Sequence, residues 1–360
     1  MRSIVPRAAC AAVTALLACA LAAFFADSAE ARRAHASNER PVDAIASARM
    51  PIDTPQGHAQ FALDLSADWN TPQPDVVRAV IVLHGRLRNA DDYFRTAQRA
   101  REAAGGEPGS TILIAPQFLS TDDTRAFRSP SDLLSWHADA WMGGAEAKTG
   151  APVGAYAVLD AIARRLSDKA RFPNLKTIVF AGHSGGAQVL QRYAIASDVP
   201  DELAQAGIDV RFVVASPSSY AYFDAQRPDA DGGVPAAFDA SHCPSFDRWK
   251  YGMQARPAFM RTRSPQQLEA RYVQRQILYL VGGADHDPAS ASLDKSCAAM
   301  AQGPQRLARA EGFFRYLQAR HPADRNQQFH IVPGVGHDEA RMLTSHCALK
   351  TMFDVGSCDD

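Results

Sequence analysis

Residues 177–196 read TIVFAGHSGGAQVLQRYAIA. The first five are β-branched or otherwise apolar and read as a buried strand. The last eleven carry apolar residues at helical spacing. Between them lies Gly182-His183-Ser184-Gly185-Gly186, a G-x-S-x-G in which small residues permit a sharp turn. A strand feeding such a turn, with a helix leaving it, projects the central serine outward. Ser184 then sits at the helix N-terminus, where the positive end of the helix dipole favours a developing anion. The bland alternative is a glycine-rich turn with a capping serine.

Working outward, further apolar runs alternate with helical patterns. Strands are predicted at 76–83, 111–115, 210–215, 276–281 and 328–332, and helices at 153–166, 186–196, 307–317 and 339–349. This alternation predicts an α/β fold, a mostly parallel central sheet with helices on both faces. In such sheets chemistry sits beyond the C-terminal strand ends. After 76–83 come His84-Gly85-Arg86. The backbone N–H groups of Arg86 and Gly185 are candidates for a paired oxyanion site, and His84 reads as structural. After 276–281 come Gly282-Gly283-Ala284-Asp285-His286-Asp287. Asp285, in the first loop turn, is the preferred acid to orient an imidazole, and Asp287 is the alternative. After 328–332 comes Pro333-Gly334-Val335-Gly336-His337. His337 alone among the histidines joins a downstream strand end to a flexible loop, as a general base requires.

These motifs, LHGRLRNADDY, GHSGGAQVLQRYA, ASPSSY, GGADHDP and VPGVGHDEARM, resemble the α/β-hydrolase superfamily, most closely its secreted bacterial esterase-like members, over about residues 60–350. The resemblance implies Ser184 as nucleophile, Asp285 as acid, His337 as base and Arg86 and Gly185 as oxyanion donors. It implies ester or related acyl hydrolysis with no cofactor and no metal. The partner is a small-molecule or polymeric ester. The same triad would serve a polyester depolymerase, a peptidase or an acyltransferase, and a non-catalytic binding protein is the remote alternative. One departure from the family is the Gly185-Gly186 pair, which reads as a looser elbow.

The rest of the chain bounds these readings. It has 360 residues, 46% hydrophobic, with 38 Lys and Arg against 39 Asp and Glu. A net charge of −1 gives no sign of nucleic-acid binding. Arg2 and Arg7 precede an uncharged run from Ala8 to Ala26, and Ala29-Glu30-Ala31 supplies small residues for cleavage. Residues 1–31 therefore read as a signal peptide, with a retained anchor or a lipoprotein centred on Cys19 as alternatives. The expected location is secreted or periplasmic, with no stable membrane insertion after cleavage. Residues 32–56 read as a linker, and 57–360 as one hydrolase domain. Cys243, Cys297, Cys347 and Cys358 then meet an oxidising compartment, where Cys243–Cys297 and Cys347–Cys358 are the favoured pairs. Four buried thiols are the alternative. Residues 216–275 form a long insertion after the sixth strand, expected to act as a lid or pocket wall. Trp141, Tyr220 and Trp249 are the candidate substrate contacts, whereas Gln188, Gln191 and Arg192 read as packing or surface residues.

Overall fold

Alternate side chains of the central strands fall into two separate apolar clusters, one on each face of a single sheet. Ala79, Ile81 and Leu83 face one way, and Val80 and Val82 the other. The same split holds for Ile178 and Phe180 against Val179 and Ala181. A strand buried on both faces must be apolar throughout, which is why these runs lack polar alternation. The computed structural model describes residues 40–229, 233 and 235–358. The signal-peptide reading of 1–31 lies outside the described residues.

Eight strands form the sheet. They are β1 (Ala48–Thr54), β2 (Gly57–Leu65), β3 (Arg78–Leu83), β4 (Thr111–Pro116), β5 (Thr177–His183), β6 (Asp209–Ala215), β9 (Gln276–Gly282) and β10 (Gln327–Val332). A two-residue pair, β7 (Gln226–Arg227) and β8 (Ala236–Ala237), lies between β6 and β9 in the chain. The sheet order is β1-β2-β4-β3-β5-β6-β9-β10. β1 and β2 are antiparallel to their neighbours, and the other pairings are parallel. Helices cover both faces: α1 (Ala90–Ala103), α2 (Thr121–Ala126), α3 (Ala155–Leu166), α4 (Gly185–Ala196), α5 (Val199–Gln205), α6 (Pro265–Tyr272), α7 (Cys297–Met300), α8 (Arg306–Arg320), α9 (Glu339–Leu343) and α10 (His346–Phe353). Residues of α3, α4 and α8 belong to one cluster, and residues of α1, α9 and α10 to the other.

Three expectations change. The end of the supposed linker, residues 48–54, is strand β1, which pairs with β2 from Ala48 opposite Leu63 to Thr54 opposite Gly57. Met50 and Ile52 supply its buried face, spaced by two as a half-buried strand requires. The last predicted helix, 339–349, is two helices. Ser345 accepts from the Ala348 N–H and caps α10, so the chain turns between α9 and α10. Helix α1 was missed because Asp91, Asp92, Arg95 and Arg99 dilute its apolar stripe of Ala90, Tyr93, Ala97 and Ala100.

Both expected cysteine pairs are present as disulfides, Cys243–Cys297 and Cys347–Cys358. Cys243–Cys297 ties the 216–275 insertion to the segment after β9. Among the described residues, no helix is long and apolar enough to cross a membrane.

Candidate active site

The parallel register brings four loops to one edge of the sheet. Leu83 pairs with Gly182, His183 with Ala215, Ala215 with Leu280, and Gly282 with Val332. The residues that follow β3, β5, β9 and β10 therefore emerge side by side.

Ser184 is the N-cap of α4, with φ 56° and ψ −114°. That conformation costs a non-glycine residue roughly 1–3 kcal/mol and survives only where neighbours enforce it. Here the Ser184 N–H donates to the Ala215 carbonyl at 2.9 Å, and the Ser184 carbonyl accepts from Gln188 N–H at 3.1 Å. The turn is also held by the absence of side chains. A Cβ on Gly186 would lie 2.4 Å from the Leu83 oxygen and 2.8 Å from the His84 oxygen. One on Gly182 would lie 2.8 Å from the Gly186 carbonyl carbon. The paired glycines thus make a tight elbow rather than the loose one expected, because α4 starts hard against the end of β3. A Cβ on Gly185 would stand 3.0 Å from the Arg86 nitrogen. The backbone of residues 85–86 therefore passes directly over Gly185, and the two candidate oxyanion N–H groups are neighbours.

His337 Nε2 is 3.0 Å from Ser184 Oγ, and His337 Nδ1 is 2.8 Å from Asp285 Oδ2. Asp285 is buried, while His286 and Asp287 are exposed, so of the two candidate acids it is Asp285 that meets the imidazole. Its other oxygen, Oδ1, accepts from Arg306 Nη1 at 3.3 Å. Burial alone would raise the Asp285 pKa, but the His337 hydrogen bond and charge and the Arg306 charge outweigh it and hold it low. Burial lowers the His337 pKa, against an upward pull from Asp285. The pair is thus a carboxylate beside a neutral imidazole, whose Nδ1–H faces the carboxylate and leaves Nε2 free to accept the Ser184 proton.

Several supports were not visible in the sequence. Arg306 also donates to the carbonyl and Oγ of Ser292 at 2.8 and 3.0 Å, linking the acid to the loop after β9. His183 packs its ring 4.3 Å from that of His337. The Arg86 loop is anchored by a buried ion pair: Arg88 donates to both oxygens of Asp123, which also accepts from Val42 and Ser120 N–H groups. His84 is structural, as expected. It is buried and bonded through Nδ1 to the Gly85 carbonyl, Nε2 accepts from Phe118 N–H, and burial takes its pKa down to about 4.

Two of the three candidate substrate contacts lie in the core. Trp141 is fully buried, stacked on Phe118 with ring centroids 5.3 Å apart and edge-on to His84. Tyr220 is fully buried and stacked on Phe313 at 4.5 Å. Trp249 is half-buried, and its indole N–H donates to the Gly143 carbonyl at 2.8 Å, fastening the insertion to the 131–144 segment. Sequence reasoning chose the large aromatics, but their area is what pulled them into packing. Gln188, read as packing or surface, lines a cavity instead, and Gln191 and Arg192 are buried.

Two cavities meet at Arg86 and Ser290–Ser292. One, of about 410 Å³, holds Ser184, His337, Tyr93 and Glu339. The other, of about 670 Å³, is lined by Met142, Gln188, Lys250, Tyr251 and residues 287 and 289–296.

The overall fold is similar to that of two solved structures. Poly(3-hydroxybutyrate) depolymerase LpqC from Bordetella parapertussis has a TM-score of 0.56 at 20% identity, covering 88% of this chain and 92% of its own. Poly(aspartic acid) hydrolase-1 from Sphingomonas sp. KT-1 has a TM-score of 0.56 at 19% identity, covering 86% of this chain and 98% of its own. The chain has the α/β-hydrolase fold. No protein-family model matches it, and no curated protein does. The 410 Å³ cavity takes no lining residue from the described part of 216–275.

Proposed function

We propose that this chain is a secreted serine hydrolase that cleaves carboxylic esters through an acyl-enzyme on Ser184. The observation that carries the reading is the chain of contacts from Ser184 Oγ to His337 at 3.0 Å and from His337 to Asp285 at 2.8 Å. His337 Nε2 takes the hydroxyl proton as Ser184 Oγ bonds to the acyl carbon. The carbonyl oxygen becomes an oxyanion facing the Arg86 and Gly185 N–H groups, where each donor contributes about 3–4 kcal/mol to the transition state. As the intermediate collapses, His337 returns the proton to the departing alkoxide. Water then attacks the acyl-enzyme with His337 again as base, releasing the acid and restoring Ser184. Asp285 fixes the imidazole tautomer and stabilises the imidazolium formed in each half.

The two named neighbours act on an ester polymer and on poly(aspartic acid), so acyl transfer to water is chemistry this fold supports. Export is supported by the two disulfides, which persist in oxidising compartments, and by the signal-like residues 1–31. The test is turnover of 4-nitrophenyl esters by wild type and Ser184→Ala. Wild-type turnover lost in the variant is expected, and turnover retained by a folded Ser184→Ala protein ends the reading. A parallel screen of insoluble polyesters and peptides decides whether the ester is polymeric and whether amides are cleaved.

A further inference from the structure

Gln188 follows the nucleophile by four residues, and its backbone N–H donates to the Ser184 carbonyl at 3.1 Å. The two residues are thus about 6 Å apart along the axis of α4. Gln188 is 3% exposed and lines the larger, 670 Å³ cavity. That cavity shares Arg86 and residues 290–292 with the one that holds Ser184 and His337, so the two adjoin along that wall.

The amide of Gln188 can point only one way. Arg192 is fully buried, and both of its terminal nitrogens donate to Gln188 Oε1, at 3.2 and 3.3 Å. A guanidinium has donors and no acceptor, so the amide atom facing it must be the oxygen. The Ser219 hydroxyl accepts from Arg192 Nη2 at 3.0 Å and donates to the same Oε1 at 3.1 Å. Three donors therefore converge on the oxygen and hold the amide plane. The other end, Nε2, carries two N–H donors. Within the described residues it makes no hydrogen bond, and it is not sealed from solvent.

The charged groups of the cavity wall do not engage it. Asp139 faces Arg86 at 3.5 Å, Asp294 accepts from Tyr251 Oη at 2.7 Å and Ser296 N–H at 3.0 Å, and exposed Asp287 accepts from Ala289 N–H at 2.9 Å. With Lys250 in the same wall, both signs of charge are present. What the cavity adds to them is a neutral donor in a fixed direction. A donor covered by a ligand that offers no acceptor loses its water and gains nothing, so such a group favours ligands that carry one.

We propose that Gln188 is a specificity-determining residue: its Nε2 donates to a carbonyl oxygen that the substrate carries beyond the scissile ester, and Arg192 and Ser219 hold the amide in that direction. The proposal rests on the serine-hydrolase reading for the scissile ester, and on the hydrogen bonds of the amide for the donor. Gln188 takes no part in bond making. The carbonyl can belong to the acyl or the alcohol half of the substrate, and the test has an arm for each.

The acyl arm compares methyl 4-oxopentanoate and methyl 6-oxoheptanoate with methyl pentanoate and methyl heptanoate. The alcohol arm compares 4-oxopentyl and 6-oxoheptyl butyrate with pentyl and heptyl butyrate. The quantity read is the ratio of kcat/KM for the oxo ester to that for its alkyl partner, which cancels any general change in activity. Gln188→Glu keeps an oxygen facing Arg192 and Ser219 and replaces the free donor by an acceptor. The ratio should fall about three- to tenfold in one arm, the range of one hydrogen bond. Gln188→Met removes the donor without adding a charge and should show the same fall. Ratios unchanged in both arms of folded Gln188→Glu, the result of a merely structural role, overturn the proposal. So does a fall in Gln188→Glu that is absent from folded Gln188→Met. Binding of the same esters to Ser184→Ala, followed by ligand-observed NMR, needs no turnover and separates this from failure of the hydrolase reading. Binding of an oxo ester that weakens relative to its alkyl partner when Gln188→Glu is added supports the donor even if no ester is hydrolysed. Binding that is absent, or unchanged by Gln188→Glu, overturns it.

Discussion

The loops that carry Ser184, Asp285 and His337 and the insertion at 216–275 lie at the same edge of one sheet, yet they are built on different principles. Each of the three residues follows a strand of the central sheet by one to five positions, so its place is set by the strand end and a short turn. The insertion has little regular structure of its own. It is placed by Tyr220 and Tyr222 against Phe313, by Trp249 against Gly143, and by Cys243 against Cys297. Local geometry fixes the first region and tertiary packing the second. Changes in the first should therefore cost rate with little stability, and changes in the second the reverse.

The largest expected effect is in rate. Ser184→Ala should lower kcat by about 10⁶ with the thermal midpoint unchanged or raised, because it removes the nucleophile and none of the packing. Asp285→Asn should lower kcat by about 10⁴, since an amide cannot hold the same imidazole tautomer. Stopped assays with burst analysis and a melting curve check both. A large loss of stability in either variant would erase the contrast.

The insertion should answer in stability. Tyr220→Ala empties a fully buried ring site and should cost about 3–5 kcal/mol in denaturant unfolding, with kcat/KM per folded molecule close to wild type. Tyr220→Phe should be nearly neutral, because the Tyr220 hydroxyl has no hydrogen-bond partner among the described residues. A selective loss of kcat/KM in Tyr220→Phe would return this residue to the substrate site.

Asp123→Ala tests the boundary between the two regimes. It strands Arg88, which is 2% exposed, and should cost about 3–5 kcal/mol while loosening the loop that carries the Arg86 N–H. Unfolding by denaturant gives the first effect, and the affinity of a boronic-acid inhibitor the second.

The smallest effect is a pH shift. The base must be neutral to act, so activity rises with pH through the His337 pKa. Burial lowers that pKa, which sets the midpoint of the acid limb of kcat/KM below the ordinary histidine value of about 6.5. Asp285 pulls the other way, so the residual activity of Asp285→Asn should show a limb at lower pH still. A limb that moves up would contradict the assigned contact.

What was legible in the sequence follows the same division. Six of the eight sheet strands, the elbow and the three positions whose side chains meet, Ser184, His337 and Asp285, could be read, because continuous apolar runs and glycine-bracketed strand ends are local signals. β1 and β2 do not read as strands, since Pro51 interrupts the first and the second has adjacent apolar residues rather than a clean alternation. Arg306, Arg88 and Asp123 could not be read, because an arginine in a charged helix or loop carries no mark of the carboxylate it will meet. Trp141 and Tyr220 read as site residues because they are large aromatics in long connections over the strand ends. Exposure decides between pocket wall and core, and exposure belongs to the tertiary structure.

The central claim is that Ser184 is made reactive by His337, and one rate tests it most directly. A fluorophosphonate probe reacts with the purified protein, and the adduct is located by peptide mass spectrometry in wild type and in His337→Ala. The account predicts a single adduct on Ser184 in wild type, formed at least about a thousandfold more slowly in the variant. An adduct elsewhere, no adduct at all, or equal rates in the two proteins would contradict it.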